Sequence, residues 1–201
     1  MWVQVPPPAQ VKKRVIIAHG WASNPNDCWF PWIKKEFEKN DFEVFVPAFP
    51  NPGIPEIKSW VKTLDETVGV IDGATYFVGH SIGCQTILRY LQTLSLDQKI
   101  AGVVFVGGWF SLIGLETVEE KIVTDPWLNM PIDFEKIKFL ISKSVAIFSD
   151  NDQWVALDNQ NTFRDKLGSE IVIEHNKGHF DRTNKVFELP SALEAIIKMA
   201  K

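Results

Sequence analysis

Sulfur is scarce in this chain: of 201 residues only Cys28 and Cys84 are cysteine, too few for a disulfide framework or a cysteine-built metal site. Histidine is scarce too. The four, His19, His80, His175 and His179, lack a spacing such as His-Glu-x-x-His, so neither a metal nor another cofactor is expected. No apolar run approaches the roughly 18 residues that a membrane span needs. Net charge is −4 and the basic residues are scattered, which argues against a nucleic-acid surface. The opening Met1-Trp2-Val3-Gln4-Val5-Pro6-Pro7-Pro8 has no basic region followed by an apolar one. No secretory signal is read there, and the cytoplasm is the expected location. No internal repeat is visible.

What remains is ordinary for a soluble globular protein: 45% hydrophobic and 23% charged residues, in a length that suits one domain over residues 1–201 with a single well-buried core. The most informative stretch runs Thr75-Tyr76-Phe77-Val78-Gly79-His80-Ser81-Ile82-Gly83-Cys84. A short apolar strand meets Gly-x-Ser-x-Gly, and Cys84, Ile87, Leu88 and Leu91 then follow at helical spacing. A strand that turns sharply into a helix at a serine is a nucleophile elbow. Gly79 and Gly83 give the turn its clearance because they lack a Cβ. The helix start aims free N–H groups at the same spot, so the Ile82 N–H can donate to an oxyanion. Cys84 falls on the apolar face of that helix and is expected as a buried free thiol.

The rest of the chain alternates strands and helices. Strands are read at Arg14–Ala18, Glu43–Val46, Ile100–Val106, Val145–Ser149 and Ile171–Ile173; helices at 31–39, 56–65, 133–141, 157–167 and 190–201. The proline-rich 47–55 reads as a stiff loop. From Trp109 to Ile132 periodicity weakens and Gly114, Pro126 and Pro131 intervene. An excursion over the sheet's edge is expected there, either a plain connection or a small cap bearing Trp109, Phe110 and Trp127 over Ser81. The alternation predicts a mostly parallel central sheet with helices on both faces and a minimal cap, with reactive residues at the carboxyl ends of the strands.

Serine needs a base to take its proton and a third group to orient that base. His179, in Asn176-Lys177-Gly178-His179-Phe180 beyond the last strand, is the leading base, with His175 behind it. His80 is expected to point away from its neighbour Ser81, and His19 to be structural. After the strand before last come Asp150, Asn151 and Asp152; Asp152 is the leading acid and Asp150 the alternative. The order Ser, Asp, His then matches the order expected of an elbow of this kind. The backbone N–H of Trp21, just past the first strand, is the candidate second oxyanion donor. Trp109, Trp127 and Trp154 suggest an apolar pocket.

The whole chain resembles the α/β-hydrolase fold, and within it the small serine hydrolases of the retinoblastoma-binding protein 9 type. The likeness rests on His19-Gly20-Trp21, Trp29-Phe30-Pro31-Trp32, Pro47-Ala48-Phe49-Pro50, Gly79-His80-Ser81-Ile82-Gly83, Pro131-Ile132-Asp133-Phe134, Ser149-Asp150-Asn151-Asp152 and Gly178-His179-Phe180. It implies Ser81 as nucleophile, Asp152 as acid and His179 as base. Gln153 stands where that family often has proline, which keeps Asp150 in contention. The expected activity is hydrolysis of small acyl esters through an acyl-enzyme. Amide, peptide or thioester cleavage, or ligand binding without turnover, are the alternatives. No protein partner is indicated.

Overall fold

The computed structural model describes residues 12–201; the proline-rich opening, on which the reading about a secretory signal rests, lies outside them. The elements in order are β1 (Arg14–Ala18), α1 (Phe30–Lys39), β2 (Glu43–Phe45), α2 (Ile57–Val68), β3 (Thr75–His80), α3 (Ile82–Thr93) and β4 (Gly102–Val106). The chain continues through α4 (Val118–Asn129), α5 (Phe134–Leu140), β5 (Ser144–Ser149), α6 (Asn159–Leu167), β6 (Glu170–Glu174) and α7 (Pro190–Met199). Among the described residues no helix is long and apolar enough to cross a membrane.

The strands form one six-stranded sheet in the order β2-β1-β3-β4-β5-β6, with every neighbouring pair parallel. Side chains alternate across it, as strand geometry requires. Ile16, Phe77, Phe105 and Phe148 face the helices α2, α3, α5 and α6, while Ile17, Val78, Val104 and Ile147 face α1 and α7. Burial on both faces explains why the strands read as continuous apolar runs.

This winding also places the site. The chain leaving β1 enters α1 on one face of the sheet, and the chain leaving the adjacent β3 enters α3 on the other. A crevice therefore opens between the carboxyl ends of these two strands, where neither connection can cover it.

Two expectations need correcting. The 109–132 excursion does not rise over a lateral edge: β4 and β5, which it joins, are neighbours inside the sheet. It also holds a regular helix, α4, with Pro126 inside it. A full capping box starts that helix, since Thr117 Oγ1 accepts from Glu120 N–H and the Glu120 carboxylate accepts from Thr117 N–H. Its periodicity was hard to read because Val118 and Ile122 face solvent. Elsewhere the boundaries shift slightly: β4 begins at Gly102, and Ile100 contributes only an isolated bridge to Ile141.

Candidate active site

The elbow is the most constrained point of the backbone. Ser81 sits at φ 53°, ψ −120°, a conformation that side-chain-bearing residues hold only under surrounding constraint. The constraint is visible: Ser81 N–H donates to Val106 O at 2.9 Å, and Ser81 O accepts from Cys84 N–H at 2.9 Å. A Cβ on Gly83 would lie 2.2 Å from Ala18 O. The first turn of α3 thus rests on the end of β1, which only glycine permits. Ile82, at the first helical position, has no intrahelical acceptor for its N–H.

His179 follows β6. Its ring Nδ1 lies 2.8 Å from Asp152 Oδ2, with side-chain exposures of 11% and 2%. A carboxylate only accepts, so Nδ1 carries a proton, and in the neutral ring Nε2 is the nitrogen with the lone pair. The other oxygen, Asp152 Oδ1, accepts from Trp154 N–H at 2.8 Å and Val155 N–H at 3.0 Å, which fixes the carboxylate. Beside the pair, Gly107 follows β4 at φ 53°, and a Cβ there would lie 3.4 Å from His179 Cε1. Asn184 Oδ1 accepts from His179 N–H at 2.9 Å, and Asn151 Oδ1 from Gly178 N–H at 2.8 Å. Gly107, Asn151 and Asn184 carry no local pattern that would have singled them out for this support.

The competing pair also exists, but elsewhere. His175 Nδ1 lies 2.6 Å from Asp150 Oδ2, with side chains 78% and 35% exposed. The Asn176 N–H and the His175 ring hold Asp150 below the usual carboxylate range. Neither residue lines the cavity that contains Ser81.

That cavity, about 460 Å³, is lined by Ser81 and His179 together with Gly20, Trp21, Ile82, Trp109 and Trp154. Leu112, Leu115 and Thr124 extend its wall, in which Glu120 also stands, and Asp27, Asp181, Arg182 and Thr183 form a polar rim. Arg182 pairs with Asp27 across that rim. Within the described residues the one side-chain bond of His179 is to Asp152; the link to Ser81 is open, as is usual in unliganded sites of this kind. The Trp21 indole donates to Gly53 O at 2.9 Å, and Ala22 N–H to Pro52 O at 2.7 Å. The 47–55 loop thereby pins the turn that carries the Trp21 N–H.

Three side chains differ from expectation. His80 does not point clear of the site: it borders the cavity, its ring lies 5.1 Å from that of His179, and its Nε2 donates to His179 O at 2.7 Å. Burial first, and the His179 ring second, pull its pKa down to about 3, so it is a neutral support for the histidine loop. Trp127 does not overlie Ser81. It is buried edge-on against Trp60 and donates to Pro55 O at 3.1 Å, while Phe110 packs on Phe163 and Phe134. His19 is structural as read, its Nε2 accepting from Phe49 N–H at 3.2 Å. Both cysteines are free and Cys84 is buried. Cys28 borders the cavity, but burial and then Asp27 raise its thiol to about 11, so it offers no competing thiolate.

Comparison with known proteins gives the fold and the family. The sequence profile of the family described as "Serine hydrolase" matches residues 15–197. YdeN of Bacillus subtilis (strain 168) is 27% identical over 184 residues, covering 92% of this chain and 94% of YdeN. The crystal structure of the B. subtilis ydeN gene product superposes with a TM-score of 0.85 at 26% identity, covering 93% of this chain and 98% of that one. The serine hydrolase RBBP9 of Rattus norvegicus is 24% identical over 177 residues, 87% of this chain and 90% of RBBP9. Est1E from Butyrivibrio proteoclasticus, at 12% identity, shares the fold with a TM-score of 0.69 over 94% of this chain and 88% of its own. The sheet is that of the α/β hydrolases, and the chain belongs to the serine hydrolase family.

Proposed function

We propose that this serine hydrolase cleaves small acyl esters, with Ser81 as nucleophile, His179 as general base and Asp152 as orienting acid. The observation that carries the reading is the buried 2.8 Å bond from His179 Nδ1 to Asp152 Oδ2 on the cavity that Ser81 borders. With Nδ1 protonated, Nε2 is free to take the Ser81 proton as Oγ attacks the substrate carbonyl. The carbonyl electrons move onto oxygen, and the Trp21 and Ile82 N–H groups stabilise that oxyanion. His179 returns the proton to the leaving alcohol as the C–O bond breaks, leaving an acyl-Ser81 ester. Water then repeats the sequence, releasing the acid and restoring Ser81. A cavity of about 460 Å³ with Trp109 and Trp154 in its wall favours a small apolar acyl group.

The test is labelling of the purified protein with a fluorophosphonate, which reacts with an activated serine, beside Ser81→Ala and His179→Ala. Labelling of the wild type and its loss in both variants is expected, followed by faster turnover of acetyl and butyryl esters than of matched amides or thioesters. A folded, unlabelled wild type would overturn the assignment. A preference for dodecanoyl over short acyl chains would overturn the small pocket.

A further inference from the structure

We propose that Gln85 and Arg89, one and two turns beyond Ser81 on α3, hold the apolar wall of the cavity in place and so set how long an acyl chain the enzyme accepts. Arg89 is only 3% exposed, yet among the described residues no carboxylate meets it. Its Nη1 donates to Gln85 Oε1 at 2.9 Å, and its Nη2 to Trp127 O at 2.5 Å and Met130 O at 3.2 Å. A buried guanidinium without an anion is strongly disfavoured unless something else carries negative charge. Here the carbonyl end of α4 does so, where the helix dipole places partial negative charge. The guanidinium also lies 5.7 Å from the Trp127 ring. Gln85, 1% exposed, donates its Nε2 to Trp109 O.

These contacts fall on the two ends of one segment. Gln85 grips its start at Trp109; Asn159 Oδ1 helps by accepting from Phe110 N–H at 2.7 Å and Ser111 N–H at 3.0 Å. Arg89 grips its finish at Trp127 and Met130. Between the grips lie Leu112, Leu115, Glu120 and Thr124, which line the cavity, while Val118 and Ile122 of α4 are 67% and 66% exposed. The middle of the wall is thus lightly packed on its outer side and is held, besides its ends, by Ile113 N–H donating to Trp154 O at 2.9 Å. Leu112 and Leu115 suit an apolar acyl chain, and the charged Asp27 and Arg182 suit the leaving alcohol. Neither Gln85 nor Arg89 hydrogen-bonds Ser81, Asp152 or His179; they are positioning residues.

The inference rests on the ester reading, and the experiment separates the two. Kinetics of p-nitrophenyl acetate and hexanoate, and inactivation by short- and long-alkyl fluorophosphonates, are measured for wild type, Arg89→Met, Arg89→Lys and Thr117→Ala. Arg89→Met should raise KM for hexanoate about five- to tenfold, the effect of one or two lost hydrogen bonds, with kcat and all acetate constants within about twofold. Arg89→Lys should recover part of the loss, and Thr117→Ala, which uncaps the solvent end of α4, should give a smaller rise of the same kind. An equal fall for both esters in Arg89→Met, or no change, overturns the proposal. If Arg89→Met does not fold, no chain-length effect in the other two variants overturns it. Should the wild type label but turn over no ester, the ester reading fails alone, and probe length carries the same comparison.

Discussion

The two oxygens of Asp152 have separate roles: Oδ1 is held by the Trp154 and Val155 N–H groups, and Oδ2 faces His179 Nδ1. An amide in that place could present N–H to the imidazole and favour the wrong tautomer. Asp152→Asn should therefore lower kcat by about 10³- to 10⁴-fold with a small change in KM, whereas Asp150→Asn should stay near wild type. Ester kinetics on both variants decide between them; the larger loss in Asp150→Asn would move the acid to that residue. At this scale the sequence narrowed the acid to two aspartates two positions apart. It could not separate them, because each has a histidine to pair with and only the cavity distinguishes the pairs.

Among the elements, the β3–Ser81–α3 unit was legible in full, because its glycine spacing and apolar periods are local properties. Its packing onto β1 makes a sharp expectation. Gly83→Ala would put a methyl 2.2 Å from Ala18 O, and main chain in a central strand has no room to yield. Loss of soluble protein, or a melting temperature at least about 10 °C lower, is expected from such overpacking. Gly73→Ala, whose Cβ would meet nothing within 4 Å, should melt within a few degrees of wild type. Thermal melts of both check this, and equal melting would mean the elbow tolerates displacement. Helix α4 was the least legible element: its outward Val118 and Ile122 blur the apolar face, and Pro126 reads as a breaker. The capping box and Arg89 hold it instead.

For the whole molecule, burying neutral imidazoles in a doubly covered sheet sets an acid limit. His80 is buried with its pKa drawn down to about 3, and burial lowers His19 as well. Below about pH 6.5 the unfolded chain binds protons that the folded chain refuses until far lower pH, so stability falls as pH falls through that window. His80 alone should account for roughly 2 kcal/mol lost by pH 5, at 1.36 kcal/mol per pH unit. Denaturant midpoints at pH 8, 6 and 5 should decline accordingly, and His80→Gln should flatten the decline. Parallel slopes in the two proteins would contradict the account.

The order of strands and helices, the strained turn at Ser81 and the short menu of acids and bases follow from the sequence by itself, since periodicity, glycine spacing and turn chemistry act over a few residues. Only the tertiary structure decided the partners. His179 faces Asp152 because β5 and β6 are parallel neighbours whose loops are tied through Asn151 and Ser149. Gly20 and Trp21 border Ser81 because β1 and β3 are adjacent while their connections leave toward opposite faces. Trp127 lies away from the serine because α4 docks onto Trp60 and Arg89. Each depends on packing between segments far apart in the chain, where local propensity has no reach.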